Sequence, residues 1–456
     1  MRDLLLLLLL PVLIFATAKR PFIGVGIWLW TALFFPNGWV YGVASVIRFN
    51  LLFAGIAILG YFAAKDKPKI KMGSTGFLVL LFFIWTTLSS AMGLGNPDIT
   101  WELWSRFSKV VMLFVMVLLV IEDKLHVDFL LWCVALSVGF YADLEGLKFV
   151  ASGGGHQISG MPTHVLGDRN ELAVAFVMTL PICFYLLGEY GKRSRLLQIA
   201  LLGTISMLVI AVIGTMSRGG FIALTMLAGY LYIKSDRKVL LTILIVALVI
   251  GMSYIVSSDW SARISTIKSA EHDDSFMGRV VAWKLSFIMA VRHPIFGGGF
   301  KALEYFPVWA DLSKDFLSYS WFYTGDAVPN SSAGRAAHSV YFQVLGDHGF
   351  VGLFIYLSAM VTAFFKARRV AKRARLQGAP AWIANAATMV QLSLFAFALG
   401  GAALSFAYFD LTFTLFALAQ LLDARILPAT AARQIIKPAR KQGSPVSEST
   451  LSKEAT

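Results

Sequence analysis

Cysteine is nearly absent from this chain of 456 residues: Cys133 and Cys183 are its only two, and both lie in apolar runs. They point away from a disulfide framework and from a thiolate metal site. Charge is also scarce. Asp, Glu, Lys and Arg make up 14% of the chain and hydrophobic residues 57%, with a mean hydropathy of +0.71. An ordinary soluble domain carries about 25% charged residues, so this composition excludes one. The alternating segments of a membrane β-barrel are missing too. What remains is an all-α polytopic membrane protein, because only helices and closed barrels satisfy every backbone polar group in hydrocarbon.

The formal net charge of +14 invites a nucleic-acid partner, but the positions of the cations argue against one. They cluster between apolar runs: Lys65, Lys67, Lys69 and Lys71; Lys192, Arg193 and Arg195; Lys234, Arg237 and Lys238; Lys366, Arg368, Arg369, Lys372, Arg373 and Arg375. Recurrence at alternate gaps is the pattern of short cytoplasmic loops.

Taken in order, the chain opens with a leucine run, residues 4–10, that reaches Ala16-Thr17-Ala18 before Lys19-Arg20. It looks like a secretory signal peptide, but the leading Arg2-Asp3 is poor in positive charge and hydrophobic spans follow at once, which favours a retained segment. Further apolar segments fall near 21–36, 49–64, 76–92, 107–121, 127–150, 170–188, 196–213, 219–233, 239–256, 339–365, 382–402 and 403–422. The expectation is about twelve transmembrane helices. Residues 1–256 form a first membrane unit, 257–337 a large external loop with amphipathic helices, 338–424 a second membrane unit, and 425–456 a basic, disordered cytoplasmic tail. With the basic loops inside, the outer face receives 93–106, 151–169, 215–219 and 257–337.

That partition places Arg169, Arg218, Arg279 and His338 on one side of the membrane. Arg218 sits in Thr215-Met216-Ser217-Arg218-Gly219-Gly220 between two apolar runs, where arginine is costly and glycine lets backbone approach a ligand. Snorkelling to headgroups is the alternative. Arg279 starts an amphipathic helix, 278–291, with Val281, Leu285, Phe287 and Ile288 on its apolar stripe. Two guanidiniums can clamp a diphosphate. His338 opens the stretch Asn330 to Gly352 at the start of a helix, where unpaired N–H groups and a positive dipole end suit a phosphate-bearing ligand and imidazole can exchange a proton. A solvated helix-start histidine would look the same in sequence.

Other features carry less. Glu271-His272-Asp273-Asp274 has no defined cation spacing. Gly297-Gly298-Gly299 lacks the strand and helix of a nucleotide loop. Asp143 and Glu145 sit near a span end and suit either a proton path or an ordinary interface. Trp309, Phe316, Tyr319, Trp321, Phe322 and Tyr323 offer faces for sugars or lipid chains, or simply pack the loop.

Together, Ser217-Arg218-Gly219-Gly220, then Gly278-Arg279 with Trp283, Pro294 and the 297–299 turn, then His338-Ser339 followed by Gly346, Gly349 and Gly352, resemble the O-antigen ligase family, the lipid A-core:O-antigen ligase and Wzy-type polymerase superfamily. Asp168-Arg169-Asn170-Glu171 is similar to a segment of its exosortase-associated O-glycosylation branch. The resemblance runs from about residue 150 to 365. It implies a GT-C-like, inverting, metal-independent glycosyltransferase of the bacterial inner membrane with its active site on the periplasmic face. The donor would be a glycan on undecaprenyl diphosphate and the acceptor lipid A-core, with membrane lipids as further partners, no nucleic acid and no cofactor. His338 would be the general base, Arg218 and Arg279 would hold the donor diphosphate, and Arg169 and Arg335 are candidate substrate contacts. Polymerases and protein O-oligosaccharyltransferases share these motifs. A transporter, the alternative of another class, would show paired halves and mid-membrane polar residues.

Overall fold

The computed structural model describes residues 2–234 apart from 66 and 68, positions 238, 239, 242 and 246, and residues 274–430 apart from 321. Among the described residues every regular element is helical. In order they are α1 (Arg2–Lys19), α2 (Pro21–Phe34), α3 (Phe49–Ala63), α4 (Gly73–Ala91), α5 (Pro97–Val120), α6 (Lys124–Val134), α7 (Phe140–Ala151), α8 (Arg169–Tyr190), α9 (Arg195–Gly214), α10 (Arg218–Lys234), α11 (Asp274–Arg292), α12 (Phe306–Ser313), α13 (Val340–Leu376), α14 (Ala381–Gly400) and α15 (Asp410–Leu421). A π-helical turn, Ala135–Gly139, joins α6 to α7 as one span.

Eight spans among these residues are long and apolar enough to cross a bilayer, and α2, α3 and most of α10 are shorter apolar helices. The chain is an integral membrane protein. Most of the expected span at 239–256 falls outside the described residues, as do the Glu271–Asp273 cluster and Trp321.

Helix α8 is the centre of the bundle. Of its most apolar stretch, 78% is buried inside the protein, against 33% for α9 at the periphery. Lipid tails are as apolar as leucine, so helices in a bilayer associate through close packing and polar contacts rather than through the hydrophobic effect. The packing of α10 on α8 shows this: a Cβ on Gly220 would lie 2.5 Å from Ala173 Cβ. No larger residue fits there. Ser393 Oγ adds a hydrogen bond to Met178 O, 2.8 Å, between α14 and α8.

The end of the bundle that carries the basic residues is closed by polar clamps. Lys124 Nζ pairs with Asp128 at 2.6 Å and Glu189 at 3.1 Å, and Tyr185 and Tyr190 both donate to Asp128. Lys366, expected in a loop, is instead buried in α13, bonded to Ser74 Oγ at 3.0 Å and to Gln420. Helix α13 runs on through the basic stretch to Leu376, because lysine, arginine and alanine are good helix formers. Arg425, placed by sequence in a disordered tail, donates to Leu119 O, Ile121 O and Lys69 O from a helical turn that continues α15.

A second departure lies at the other end. The apolar run at 403–422 is not one helix: Gly401–Ala403 is a 3-10 turn, the backbone stays irregular to Phe409, and α15 starts only at Asp410. Asp143 and Glu145 find ordinary partners, Thr204 at 3.0 Å for the first and Lys148 and His156 for the second.

Candidate functional site

Three helices begin at the same end of the bundle, where α8, α10 and α13 converge. Asp168 caps α8, its carboxylate accepting the Asn170 N–H at 2.7 Å. Ser217 links two of the starts: its Oγ accepts the Gly220 N–H at 3.2 Å, capping α10, and donates to Asn170 Oδ1 at 2.7 Å. The Ser-Arg-Gly-Gly sequence therefore reads as a cap, a cation and two residues small enough for α10 to reach α8 and the 401–409 turn. Gly219 meets that turn, since a Cβ there would lie 3.1 Å from Ala403 Cβ. The start of α13 packs on it as well, because a Cβ on Gly401 would touch Val340.

Four candidate arginines collect around these starts. Arg169 and Arg218 are the first residues of α8 and α10, both half-buried. Arg279 in α11 reaches the turn and donates from Nη1 to Ala403 O at 3.2 Å. Arg335 is exposed, with its Nη1 so close to Gly278 that a Cβ there would lie 2.7 Å away.

His338 stands just ahead of α13 with a backbone φ of 47°, in the left-handed region that a histidine rarely occupies. Its N–H donates to Ser405 Oγ at 2.8 Å. Part of the residue faces solvent, yet surrounding protein desolvates the ring and holds its pKa below the ordinary value. Arg279 pushes it the same way, Asp168 opposes them, and Arg335 adds to the lowering. The imidazole is thereby kept neutral, able to accept a proton. Arg279, Arg335, Asp168 and His338 are thus within electrostatic reach of one another although as many as 170 residues separate them in sequence (338 − 168).

The trailing glycines serve a different purpose. Helix α13 is broken at Gly349, where φ is 69° and ψ −172°, and the 297–299 turn inserts against the break. Gly298 N–H donates to Gly346 O at 2.9 Å, Gly299 N–H to Asp347 O at 2.8 Å, and Phe350 N–H to Pro294 O at 2.9 Å. A Cβ on Gly297 would lie 2.5 Å from Gly349 N, and one on Gly349 would lie 2.7 Å from Pro294 O and Ile295 O. Both glycines have positive φ, so each is fixed twice over, by backbone conformation and by space.

Sequence reasoning missed the polar network under this break. Asp347 accepts from the Lys301 N–H at 3.1 Å and lies 2.9 Å from Tyr408 Oη, which is also 2.9 Å from His348 Nε2. His348 Nδ1 lies 2.8 Å from Ser89 Oγ. A small cleft of mixed lining, with Lys301, Glu304, Gln343, Asp347 and Ser405 beside Leu303, Ala337 and Phe342, adjoins this network. The one available signal was the polar interruption of the last apolar run by Ser405, Tyr408 and Asp410.

The aromatics of residues 309–323 mostly pack. Trp309 is fully buried and donates to Asn330 O at 2.9 Å, and Phe316 is buried with it beside Val281, Leu285 and Ile288 of α11. Tyr323, in contrast, is 71% exposed. Among the described residues no group of three or more His, Cys, Asp or Glu side chains is placed to hold a metal ion.

An all-helical integral membrane protein with arginines and a neutral histidine gathered at one end is the class that this fold and site define. Residues 202–357 match a family model described as O-antigen ligase, which supports membership of that family through this part of the chain. Residues 1–191 match a second model, described as a family of unknown function (DUF5935). No curated protein matches the chain. Arg218, Arg279, Arg335 and His338 lie inside the ligase match and Arg169 inside the other, whereas Ser405 and Tyr408 lie beyond both. The match supports a glycan-transfer function of the ligase or polymerase type.

Proposed function

We propose that the chain is an O-antigen ligase that transfers a glycan from undecaprenyl diphosphate to a hydroxyl of lipid A-core, on the periplasmic face of the inner membrane. The observation that carries this reading is the gathering of three helix starts, with Arg279 and Arg335 within electrostatic reach of a histidine held neutral. Each helix start contributes a partial positive charge of roughly half a unit, so the site suits a diphosphate before any side chain is counted.

The chemistry follows from the placement. His338 takes the proton of the acceptor hydroxyl as that oxygen bonds to the anomeric carbon of the glycan. The bond from that carbon to the diphosphate oxygen breaks on the opposite side, which inverts the configuration. Undecaprenyl diphosphate leaves with the bonding electrons. Arg218 and Arg279 stabilise the negative charge that grows on it, and Arg169 and Arg335 extend the cationic rim. The proton on His338 passes to water, since the residue is open to solvent. Arginine clamps do the electrostatic work in this reading, so transfer by purified protein should persist in excess chelator. The similarity of Asp168-Arg169-Asn170-Glu171 to the exosortase-associated branch motivates testing the acceptor directly.

Deletion of the gene and analysis of the lipopolysaccharide tests the proposal. Loss of all capped chains is the expected result. Caps of a single repeat would make the enzyme a polymerase, and unchanged lipopolysaccharide would assign the glycan to a different acceptor.

A further inference from the structure

We infer that the turn at residues 401–408 is the element that aims the reacting histidine, with Ser405 as its positioning residue; this rests on the reading of His338 as general base. The turn lies outside both family matches, and its polar residues alone do not announce a role. Its contacts do.

His338 occupies a left-handed backbone conformation, which a residue with a Cβ holds only when its surroundings over-determine it. The constraint comes from 67 residues away, where Ser405 Oγ accepts the His338 N–H at 2.8 Å. Left alone, the backbone would relax towards the extended region and the Cα–Cβ bond would swing with it, carrying the imidazole off its line. The serine is itself anchored on both sides. Before it, Ala403 O accepts Arg279 Nη1 at 3.2 Å, and Ala403 Cβ abuts Gly219 beside Arg218. After it, the Ala407 N–H donates to Gln343 Oε1 at 3.2 Å, and Tyr408 Oη lies 2.9 Å from Asp347 Oδ2.

One turn therefore touches the histidine, one diphosphate arginine and the helix start of the other, and is bracketed by two side chains of α13. The distance between base and arginines is set by a segment that belongs to neither. Reacting groups need placement to within a fraction of an ångström, and a displacement of about 1 Å costs about 10²-fold in rate. Loss of the Ser405 hydroxyl should accordingly act on turnover and spare donor binding.

The test is a transfer assay on purified full-length protein, with lipid-linked glycan as donor and thermal unfolding recorded for each variant. Ser405→Ala is expected to lower kcat about 10- to 100-fold with the donor KM little changed, and Ser405→Thr, which keeps an acceptor oxygen, to restore most of the rate. The decisive comparison is in the His338→Ala background, where Ser405→Ala should cause no further loss, because the group that it aims is gone. An equal further loss there, or parental kcat in Ser405→Ala, overturns the inference. If Ser405→Ala unfolds, Ser405→Cys, similar in size but a weak acceptor, takes its place and must give the same split. Parental transfer by His338→Ala would sink the base assignment itself, a result distinguishable from the failure of Ser405 alone.

Discussion

The two ends of the bundle treat positive charge in opposite ways. At the basic end, Lys124 is matched to Asp128 and Glu189 and lies over the rings of Tyr185, Tyr190 and Trp382, 5.3 to 5.8 Å from their centroids. Arg425 is absorbed by three carbonyls. These two cations close contacts between separate elements of the bundle. At the site end, Arg279 and Arg335 both press on His338, and like charges are brought towards one another. A fold tolerates that arrangement where a function requires it. One end sets its cations against acids, rings and carbonyls, and the other gathers two of them around a histidine.

The sharpest way to break this comparison is at the histidine. A general base contributes about 10²–10⁴-fold to a chemical step, so His338→Ala should lower turnover by that order while direct donor-binding measurements stay near the parental value. Turnover at the parental rate would reduce His338 to a helix-start residue.

A smaller effect separates the ends directly. Arg218→Ala and Arg279→Ala should weaken donor binding and lower turnover by about 10²–10³-fold, with lysine rescuing only in part because it lacks the planar fork. Asp128→Ala should do the reverse. It strands two tyrosine hydroxyls and a lysine, costing about 2–3 kcal/mol of stability, and should leave turnover per folded molecule unchanged. An arginine variant that loses stability but keeps its rate would contradict the division.

The smallest expected effect is in pH dependence. A lowered pKa keeps His338 neutral to more acid pH, and activity is lost as pH falls through that value. Arg335→Gln removes a charge that lowers the pKa, so the acid limb of the kcat profile should move to higher pH. Asp168→Asn removes a charge that raises it but keeps a helix cap, and should move the limb to lower pH. Identical limbs in both variants would mean that the titrating group is elsewhere.

Much of this was legible in the sequence, and the limits have physical reasons. Runs such as that of α8 and α9 declare themselves because a bilayer demands length and hydrophobicity together. Arg218 and His338 stood out as candidates because each lies at the boundary of an apolar run, and Arg279 only because a second guanidinium could pair with Arg218 on a diphosphate. The 297–299 turn and Gly349 were visible as glycines, but their mutual contact was not, since it joins residues some fifty positions apart. Residues 401–409 read as part of a span because hydropathy averages over Ser405 and Tyr408. Lys366 read as a loop residue because its partners, Ser74 and Gln420, are distant in sequence.

The break at Gly349 also settles a question of length. Helix α13 has 37 residues, and unbroken at ~1.5 Å per residue it would extend ~55 Å, far beyond the ~30 Å of a hydrocarbon core. A rigid rod of that size would carry its first turns out of the bilayer along a single axis. The non-helical residue divides it, leaving residues 350–376 as a ~40 Å rod and turning residues 340–348 onto an axis of their own. The same stretch of chain can then cross the membrane and still present His338 beside the other helix starts.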